Sequence, residues 1–255
     1  MLVGILHKGS GLGDQLFSYI ATRVRAADLG VDFGFVGKEF FKGSSFMNLD
    51  FGKEVNLEYH IEEPSGKLTI AELQYPLVEL NTPYYNPEFN FIPDFTFIDG
   101  YGAQDIRYFE HRLDEVRSWI KVEVLEVPED VCIINVRGGE FRTVLELILP
   151  SSYWWKAIEK MATKYPSIKF KVHSDDPEYC KELFGNQYPI IKDISKNWRS
   201  ITFAGKLILS NSAFGIIPSL LGTAETIYAP RYWNRYNLKR WDWPGNYYKR
   251  FIYLD

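Results

Sequence analysis

Residues 6–30 of the chain read LHKGSGLGDQLFSYIATRVRAADLG. Three glycines stand within five residues of this stretch: Gly9, Gly11 and Gly13. The apolar run MLVGIL (residues 1–6) precedes them and predicts a buried strand, while apolar residues at helical spacing follow them up to Gly30, a typical residue at a helix end. VDFGFV (residues 31–36) predicts a second strand. The order strand, glycine loop, helix, strand indicates the beginning of a parallel α/β sheet.

The middle of the chain has a weaker pattern. Prolines interrupt the aromatic-rich residues 37–99, which predict irregular loops and a few short strands. Residues 95–120 predict a strand, a polar loop and a helix. The apolar residues of that helix are Ile106, Phe109, Leu113, Val116 and Ile120.

The second half alternates strands with helices. Its predicted strands are VCIINV (131–136), IKFKVHS (168–174), the end of RSITFAGKLILSNS (199–212) and ETIYAP (225–230). A helix capped by a serine follows Pro150, and a second begins at Asp176 as N-cap with Pro177 in its first turn. This alternation is typical of a doubly wound α/β domain. We therefore expect an α/β protein of two Rossmann-like lobes facing a cleft, residues 1–124 and 125–255, with the ligand at the carboxyl ends of the strands.

Composition narrows the class of protein. The net charge is −4 and the pI about 5.7, which gives no general attraction to nucleic acid or anionic lipid. No apolar run approaches the roughly 18 residues of a membrane span, and the two cysteines, Cys132 and Cys180, have no C-x-x-C spacing. The four scattered histidines argue against a histidine-built metal site. A cytoplasmic enzyme without a transmembrane segment is expected.

The glycine loop allows several interpretations. A dinucleotide fingerprint, G-x-G-x-x-G, needs glycine where Asp14 stands, and a Walker loop needs a G-K-[ST] that is missing. Alternatively, Gly11 and Gly13 present backbone N–H groups to a ligand at a helix N-terminus, and the side chains of Asp14 and Gln15 point into the cleft. A tight strand-to-helix turn in which Asp14 is a plain N-cap is the other alternative.

Polar residues follow three strands of the second half. Arg137 and two glycines follow VCIINV, at a place where a guanidinium can bind phosphate oxygens; a salt bridge to a carboxylate of the other lobe is the alternative. After the next strand come Ser174, Asp175 and Asp176. With Asp176 capping a helix, Asp175 is the freer carboxylate and suits the N–H donors of guanine; the alternative is that both carboxylates share one cap. Asn211 and Ser212 follow the third strand at a helix start.

Five motifs stand in order along the chain: GSGLGDQLFSY (9–19), GYGAQ (100–104), VRGGEF (136–141), HSDD (173–176) and SNSAF (210–214). Together they resemble the α-1,2-fucosyltransferases, an inverting glycosyltransferase family with a GT-B-like fold, and APRYW (229–233) is similar to that family's closing motif. The resemblance implies GDP-L-fucose as donor, a glycan as acceptor and no required metal or other cofactor. It also implies that Arg137 binds the donor pyrophosphate.

The resemblance implies roles for other residues too. Ser212 and Phe214 line the phosphate side, Ser174 and Asp175 lie at the base and ribose, and residues 11–15 face the sugar and pyrophosphate from an acceptor-side lobe. The chain departs from the family pattern at five positions: Asp14 for asparagine, Asn135 for histidine, Gly138 for a second arginine, Glu140 for aspartate and Phe141 for tyrosine. Arg142 is close enough in sequence to replace the missing arginine.

These observations lead to a mechanistic hypothesis and two rivals. An acceptor hydroxyl displaces GDP, Arg137 and Ser212 stabilise the leaving phosphate, and Asp14 or Glu140 takes the proton. The rivals are a transferase for another nucleotide sugar and a decayed, carbohydrate-binding scaffold. The scaffold interpretation draws on the altered motif and on the tail 231–251, where cations alternate with aromatics: Arg231, Arg235, Lys239, Arg240, Lys249 and Arg250. That tail is expected to pack back across the first lobe, with sugar, membrane-surface or single-stranded nucleic-acid contacts as alternatives.

Overall fold

The computed structural model describes residues 1–71, 75–80, 82, 84–232 and 248–255. Two compact units make up the chain, Met1–Val122 and Glu123–Asp255. Each unit contains its own parallel β-sheet, so the prediction of two α/β lobes is confirmed. The assignment of an acceptor role to one lobe and a donor role to the other stays a prediction.

The first unit is built on a four-stranded sheet in the order β2-β1-β6-β5, with every pair parallel. Its elements are β1 (Leu2–Ile5), α1 (Leu12–Leu29), β2 (Phe33–Val36), β3 (Tyr59–Glu62), β4 (Lys67–Ile70), β5 (Leu77–Glu79), β6 (Phe97–Asp99) and α2 (Leu113–Trp119). Strands β3 and β4 form a separate antiparallel hairpin. The strand, glycine loop, helix and strand predicted at the start are confirmed, and Gly30 ends α1 with a left-handed φ of 66°.

The helix predicted around residues 106–120 is shorter than expected. Two 3₁₀ turns occupy residues 106–112, and only Leu113–Trp119 is α-helical. Phe109 leaves the helical conformation with φ −145°. Its buried ring packs instead against Phe17 of α1, with the ring centroids 6.2 Å apart. Packing against α1 therefore interrupts the helical periodicity that the sequence shows.

The second unit has a six-stranded sheet in the order β12-β11-β10-β7-β8-β9, again with every pair parallel. Its elements are β7 (Val131–Val136), α3 (Ser151–Lys164), β8 (Lys169–Ser174), α4 (Pro177–Phe184), β9 (Ile190–Ile191), α5 (Ile194–Phe203), β10 (Lys206–Leu209), α6 (Ala213–Leu221), β11 (Thr226–Pro230) and β12 (Phe251–Leu254). Numbered within the unit, this is the 3-2-1-4-5-6 order of the Rossmann sheet. The chain reverses direction across the sheet between β7 and β10, which makes that pair the topological switch point.

The start of α4 agrees with the sequence prediction, and the start of α3 differs from it. Asp176 is the N-cap of α4, accepting a hydrogen bond from Tyr179 N at 3.0 Å, and Pro177 follows it, as predicted. The serine cap predicted for α3 is wrong. Pro150 occupies the N-cap position without a side-chain hydrogen bond, so Ser151 lies one residue inside the helix.

The structure describes the two ends of the carboxyl-terminal tail, residues 231–232 and 248–255. Residues 251–254 form β12 and pair with β11 in the second sheet; the expected packing of residues 231–251 across the first lobe stays a prediction. Arg250 donates to the carbonyls of Gly222 at 2.9 Å and Ala224 at 2.8 Å, after the end of α6. Trp233, Arg235, Lys239 and Arg240 lie outside the described residues.

Both cysteines are buried thiols of the second unit, and neither is in a disulfide. Burial raises the pKa of Cys180 to about 11 and that of Cys132 further, so neither is a ready nucleophile. Within the described parts of the chain, no helix combines the length and apolar character needed to cross a bilayer.

Candidate functional site

The switch point of the second sheet carries polar loops on both of its strands. Asn135, near the end of β7, lies opposite Leu209, the last residue of β10. Residues 137–139 continue from β7, and residues 210–212 continue from β10. Ligands of parallel α/β sheets bind outside the carboxyl ends of such a strand pair. This region is therefore the candidate ligand site of the second unit.

Arg137 is the first residue beyond β7. Its guanidinium donates to the carboxylates of Asp175 and Glu140, and it lies over the ring of Phe141 at 5.4 Å from the centroid. The sequence left open a salt bridge to the other lobe; both partners found here belong to the second unit. The Glu140 side chain is 74% exposed, so its ion pair with Arg137 is a surface pair that a competing anion can displace.

Asp175 is not the free carboxylate that the sequence suggested. One oxygen accepts from Arg137, and the other accepts from Gly138 N at 2.9 Å. Both oxygens are engaged because the turn after β7 contains two donors, the N–H of Gly138 and the guanidinium of Arg137. Asp175 thus positions Arg137, and the predicted contact with guanine would have to use the remaining lone pairs of the same two oxygens.

The two glycines after Arg137 allow the aspartates of the next strand end to approach the backbone. A Cβ at Gly138 would lie 2.5 Å from Cβ of Asp176, and one at Gly139 2.5 Å from Oδ2 of Asp175. Gly139 also has a left-handed φ of 46°. This close approach explains why glycine stands at 138, where the family resemblance leads one to expect a second arginine.

Arg142 does not replace that arginine. It pairs with Glu182 at 2.8 Å and lies 3.6 Å from Asp176. Asp176 itself accepts from the N–H of Tyr179 and, at 3.2 Å, from that of Gly139. The Tyr179 N–H is the main cause of the lowered pKa of Asp176, with Gly139 and Arg142 adding to it against a smaller burial effect.

The loop after β10 begins helix α6, as predicted. Ser212 is the N-cap and accepts from Phe214 N at 3.4 Å, while Asn211 donates to Leu147 O at 2.8 Å. Phe214 is half-buried and packs edge-on against Trp198, with ring centroids 5.6 Å apart. Ser212 therefore remains at a helix N-terminus, where a phosphate is favoured electrostatically.

Asn135 replaces the histidine of the family pattern for a reason visible in its neighbours. It is buried, its Oδ1 accepts from Ser210 Oγ at 3.3 Å, and a Cβ at Gly215 would lie 2.8 Å from the same oxygen. Asn135 thus ties β7 to the loop after β10. The sequence signal was a polar residue inside an apolar strand.

Ser174 is buried instead of lying open for a ribose. Its hydroxyl accepts from Asp176 N at 3.0 Å, which is a bond within its own turn. The preceding residue, His173, is also buried, with Nδ1 2.7 Å from Asn197 Oδ1. Burial is the main cause that lowers the pKa of His173 to about 4, opposed by the bond with Asn197.

Packing explains why the first residue of the glycine loop, Gly9, has no side chain. A Cβ at Gly9 would lie 1.9 Å from Ser65 O, in the turn of the β3–β4 hairpin. Gly11 is the N-cap of α1, with no side-chain cap, so the interpretation of Asp14 as N-cap is wrong. Asp14 lies in the first turn of α1, where Oδ1 accepts from Gln104 Nε2 at 3.3 Å, and Gly13 is buried in that turn.

The side chain of Gln15, predicted to point into the cleft, is buried and makes hydrogen bonds to the backbone. The side chain is 1% exposed, and its amide donates to His7 O at 3.1 Å and Phe40 O at 2.8 Å. Its Oε1 accepts from Lys42 N at 2.9 Å. The amide joins α1 to the backbone at His7 and at residues 40–42, so Gln15 shapes the loop, and its contact with a donor stays a prediction.

One feature at this end of the first sheet was missed by the sequence analysis. His7 follows β1 and Asp99 ends β6, and their side chains are hydrogen-bonded at 2.9 Å in a buried position. The available signal was a polar residue directly after each of two short apolar runs, LVGIL and FI. Among the described residues, no group of three or more histidine, cysteine, aspartate or glutamate side chains is arranged to hold a metal ion.

A comparison with protein-family models gives a match that covers the second unit and the last residues of the first. The model for glycosyl transferase family 11 matches residues 109–255, more than half of the chain. The chain belongs to this family. The glycosyltransferase activity expected from the motifs is thereby confirmed. The matched range covers Arg137, Asp175 and Ser212, whereas the glycine loop at residues 9–19 lies outside it.

Two solved structures were also found for this family 11 glycosyltransferase. One is NodZ α-1,6-fucosyltransferase soaked with GDP-fucose, with 14% identity, 89% of this chain and 93% of that chain covered, and a TM-score of 0.47. The other is fucosyltransferase NodZ from Bradyrhizobium, with 14% identity, 89% and 94% coverage, and a TM-score of 0.49. No curated protein matches the chain. The family assignment rests on the family model alone.

Proposed function

We propose that this family 11 glycosyltransferase transfers L-fucose from GDP-L-fucose to a hydroxyl group of a glycan, with inversion and formation of an α-1,2 linkage. The observation that carries the proposal is Arg137, which is placed at the switch point of a Rossmann-type sheet and fixed by Asp175. The motif resemblance supplies the donor and the linkage. In this proposal the second unit binds the donor and the first unit faces the acceptor.

Charge on the leaving group is the main demand of the reaction. As the bond between the sugar and the diphosphate breaks, negative charge collects on the phosphate oxygens, and fixed positive groups lower the barrier most. Arg137 supplies a full charge, and the N-terminus of α6 at Ser212 supplies a partial one. The proposal takes these groups as sufficient and requires no metal.

Donor binding exchanges one partner of Arg137 for another. Asp175 also accepts from the backbone of Gly138, so two bonds hold its position, whereas among the described residues the exposed Glu140 side chain is bonded to Arg137 alone. A diphosphate is therefore expected to displace Glu140 and leave Asp175 in place. In that arrangement Glu140 competes with the donor diphosphate for Arg137, and it could act as a base only after the diphosphate has displaced it.

The bonds that Asp175 already makes to Arg137 and Gly138 favour a second class of donor as the alternative. Both oxygens of Asp175 already accept a hydrogen bond, which leaves fewer acceptor positions at this strand end for the N–H donors of guanine. Another nucleotide sugar is the resulting alternative. Comparing nucleotides separates the two.

The experiment is a thermal-shift titration with GDP, UDP, ADP and NAD. A ligand at 100 times its dissociation constant adds about 2.7 kcal/mol to the free energy of unfolding. For a chain of this size, each kcal/mol raises the melting temperature by roughly 2–4 °C. We expect a shift with GDP that is lost in Arg137→Ala and retained in Arg142→Ala. Arg142 is the matched control because it lies in the same loop but pairs with Glu182.

Product analysis completes the test. Incubation with GDP-L-fucose and glycans, with and without EDTA, followed by NMR of the product, gives the anomeric configuration, the linkage and the metal requirement. A shift with UDP alone, or a GDP shift indifferent to Arg137, would contradict the proposed donor site.

A further inference from the structure

The first unit exposes aromatic rings at the amino ends of two strands of its sheet. Tyr75 lies two residues before β5, and Phe95 lies two residues before β6. Phe97, the first residue of β6, is buried, whereas Tyr75 is 50% exposed and Phe95 is 57% exposed. Ligands of parallel sheets bind at the carboxyl ends of the strands, so these rings lie at the other end from the ligand position that the fold predicts for this sheet.

The three rings form one stack that runs from the core to the surface. The centroid of the Tyr75 ring is 6.4 Å from that of Phe97 and 5.8 Å from that of Phe95, with interplanar angles of 29° and 24°. Such near-parallel rings are offset-stacked. Because Tyr75 stacks on one face of the Phe95 ring, the exposed part of Phe95 includes the opposite face. We call Tyr75, Phe95 and the buried Phe97 the aromatic platform.

Phe95 has a backbone conformation that is unfavourable for its residue type. Its φ is 62°, and among the described residues it is the one residue other than glycine with a positive φ. Glycine and asparagine adopt this left-handed region readily, whereas a bulky side chain there is an outlier. Backbone hydrogen bonds to β1 and its neighbour hold the turn: Phe95 N donates to Met1 O at 3.0 Å, and Val3 N donates to Thr96 O at 3.0 Å.

Folding alone does not account for a phenylalanine at this position. A strained residue is retained for stability when its side chain is buried in the core, but more than half of Phe95 is exposed, so burial returns only part of what a core phenylalanine contributes. Strained backbone conformations concentrate at functional sites. The left-handed backbone and the exposed ring together indicate that the ring is kept for a ligand.

The neighbouring groups suit a neutral ligand that carries hydroxyl groups. The Asp94 side chain is 40% exposed, and its Oδ1 accepts from Phe95 N at 2.8 Å and pairs with the amino group of Met1. Its Oδ2 has no hydrogen-bond partner among the described residues and can accept from a hydroxyl. The chain's net charge of −4 disfavours a nucleic acid on these rings. A pyranose ring combines an apolar C–H face with hydroxyl groups around it, which matches both the rings and the carboxylate.

We propose that the aromatic platform binds neutral oligosaccharides, with a sugar ring stacked on Phe95 and Tyr75 and a sugar hydroxyl donating to Asp94. Binding there involves no covalent step and needs no nucleotide. The site goes beyond the proposed fucosyl transfer, because every residue in it belongs to the first unit. For a long glycan, a second binding site on an enzyme raises the effective concentration of the glycan at that enzyme.

The test is saturation-transfer NMR with cellohexaose and lacto-N-neohexaose, without nucleotide. Wild type is compared with Phe95→Asn, which keeps a residue suited to the left-handed turn, and with Tyr75→Leu, which keeps an apolar side chain without a flat ring. We expect the ring C–H protons of at least one oligosaccharide to receive saturation from wild type. The dissociation constant should rise at least about fivefold in each variant, as for a lost stacking contact. No wild-type signal with either oligosaccharide, or wild-type affinity in both variants, would overturn the proposal.

Two further variants are matched controls. Tyr75→Phe keeps the ring face and is expected to bind within about twofold of wild type. Tyr101 is 38% exposed but follows the carboxyl end of β6, so Tyr101→Leu is expected to bind as wild type does. If Tyr101→Leu loses the signal and Phe95→Asn keeps it, the oligosaccharide binds at the other end of the strand and the aromatic platform is not its site.

The melting temperature of Phe95→Asn tests the argument from the backbone. Asparagine relieves the unfavourable conformation, which should offset the lost contact with Tyr75 and leave the melting temperature no lower than that of wild type. A fall of more than about 4 °C would mean that the ring serves folding, and would contradict the inference.

Two measurements separate this inference from the proposed donor and from self-association. Arg137→Ala is expected to bind the oligosaccharides as wild type does, so the result stands whether or not GDP binds. Sedimentation velocity should show the same mass for wild type and Phe95→Asn. A wild-type dimer that Phe95→Asn dissociates would show that a second copy of the chain covers the rings, and the oligosaccharide site would be overturned.

Discussion

Asp175 binds the guanidinium of Arg137 with one oxygen and the N–H of Gly138 with the other. A single carboxylate thereby fixes both the cation at the end of β7 and the turn that follows it. Because Asp175 belongs to the end of β8, the arginine is oriented by the neighbouring strand of the same sheet. The geometry for an anion is set before any anion arrives, which lowers the ordering cost of binding.

Replacing Glu140 with glutamine should strengthen GDP binding. The change removes the exposed carboxylate that competes with phosphate for Arg137. Exposed ion pairs contribute about 0.2–1 kcal/mol, so the dissociation constant should fall by up to about fivefold, with the gain largest at low salt. Isothermal calorimetry at two salt concentrations measures this. A large loss of kcat in the same variant would instead identify Glu140 as the base.

Replacing Asp175 with asparagine should weaken nucleotide binding without changing its selectivity. The amide oxygen can still accept from Gly138 N, but the charge that orients Arg137 is lost. We expect GDP and UDP affinities to fall together, by about three- to tenfold, corresponding to a charge-assisted bond partly retained. Competition titrations give both constants. A selective loss of GDP would restore a guanine-reading role for Asp175.

Two glycines of the loop at residues 9–13 should respond differently to alanine. At Gly9 the new Cβ meets the backbone oxygen of Ser65, which cannot swing away, and overpacking of this kind costs about 1–3 kcal/mol. At Gly11 the nearest atom is Oδ2 of Asp14 at 3.2 Å, the end of a movable side chain, and φ is −68°. Gly11→Ala should therefore change stability by less than about 1 kcal/mol. Chemical denaturation of the two variants checks this, and equal losses would contradict it.

His173 should make the protein less stable in mild acid. Its pKa is about 4 in the folded chain and about 6.5 in an unfolded one, so between these values the unfolded state binds more protons. The free energy of unfolding therefore falls as the pH drops from about 6.5 to about 4, by at most about 3 kcal/mol from this group. Above pH 6.5 the contribution is complete and constant.

Thermal unfolding from pH 7 to pH 4 measures this effect. His173→Gln can keep a bond to Asn197 and should flatten the decline relative to wild type. His60→Gln is the control, because His60 is exposed on β3. Parallel curves for His173→Gln and wild type would show that another group causes the acid sensitivity.

The sequence predicted the elements that depend on short-range signals. The α4 cap at Asp176 and Pro177, the left-handed Gly30 and the continuous apolar strand at residues 131–136 need only neighbouring residues to be recognised. The predicted length of the helix before Ile120 was wrong because Phe109 packs against Phe17, which is far away in sequence, and this contact overrides the local periodicity.

The sequence predicted where the candidate site lies, but not which hydrogen bonds its residues make. Strand ends follow from the sheet, so the positions of Arg137, Asp175 and Ser212 were accessible. Their partners were not, because Gly138 and Glu140 offer bonds that only the folded turn brings together. The same holds for Gln15, whose three backbone contacts span residues 7 to 42. His7 and Asp99 are 92 residues apart, and nothing local relates them.

The contact between Gly138 and Asp176 restricts how this enzyme can evolve. Any side chain introduced at position 138 would clash with Cβ of Asp176. Asp176 cannot be replaced freely to remove the clash, because it is the N-cap of α4. The two positions are therefore epistatic. A second arginine at 138 is reachable only by a route that first rebuilds the start of α4, so this lineage is expected to refine its anion site through residues around Arg137 and not by regaining the missing cation.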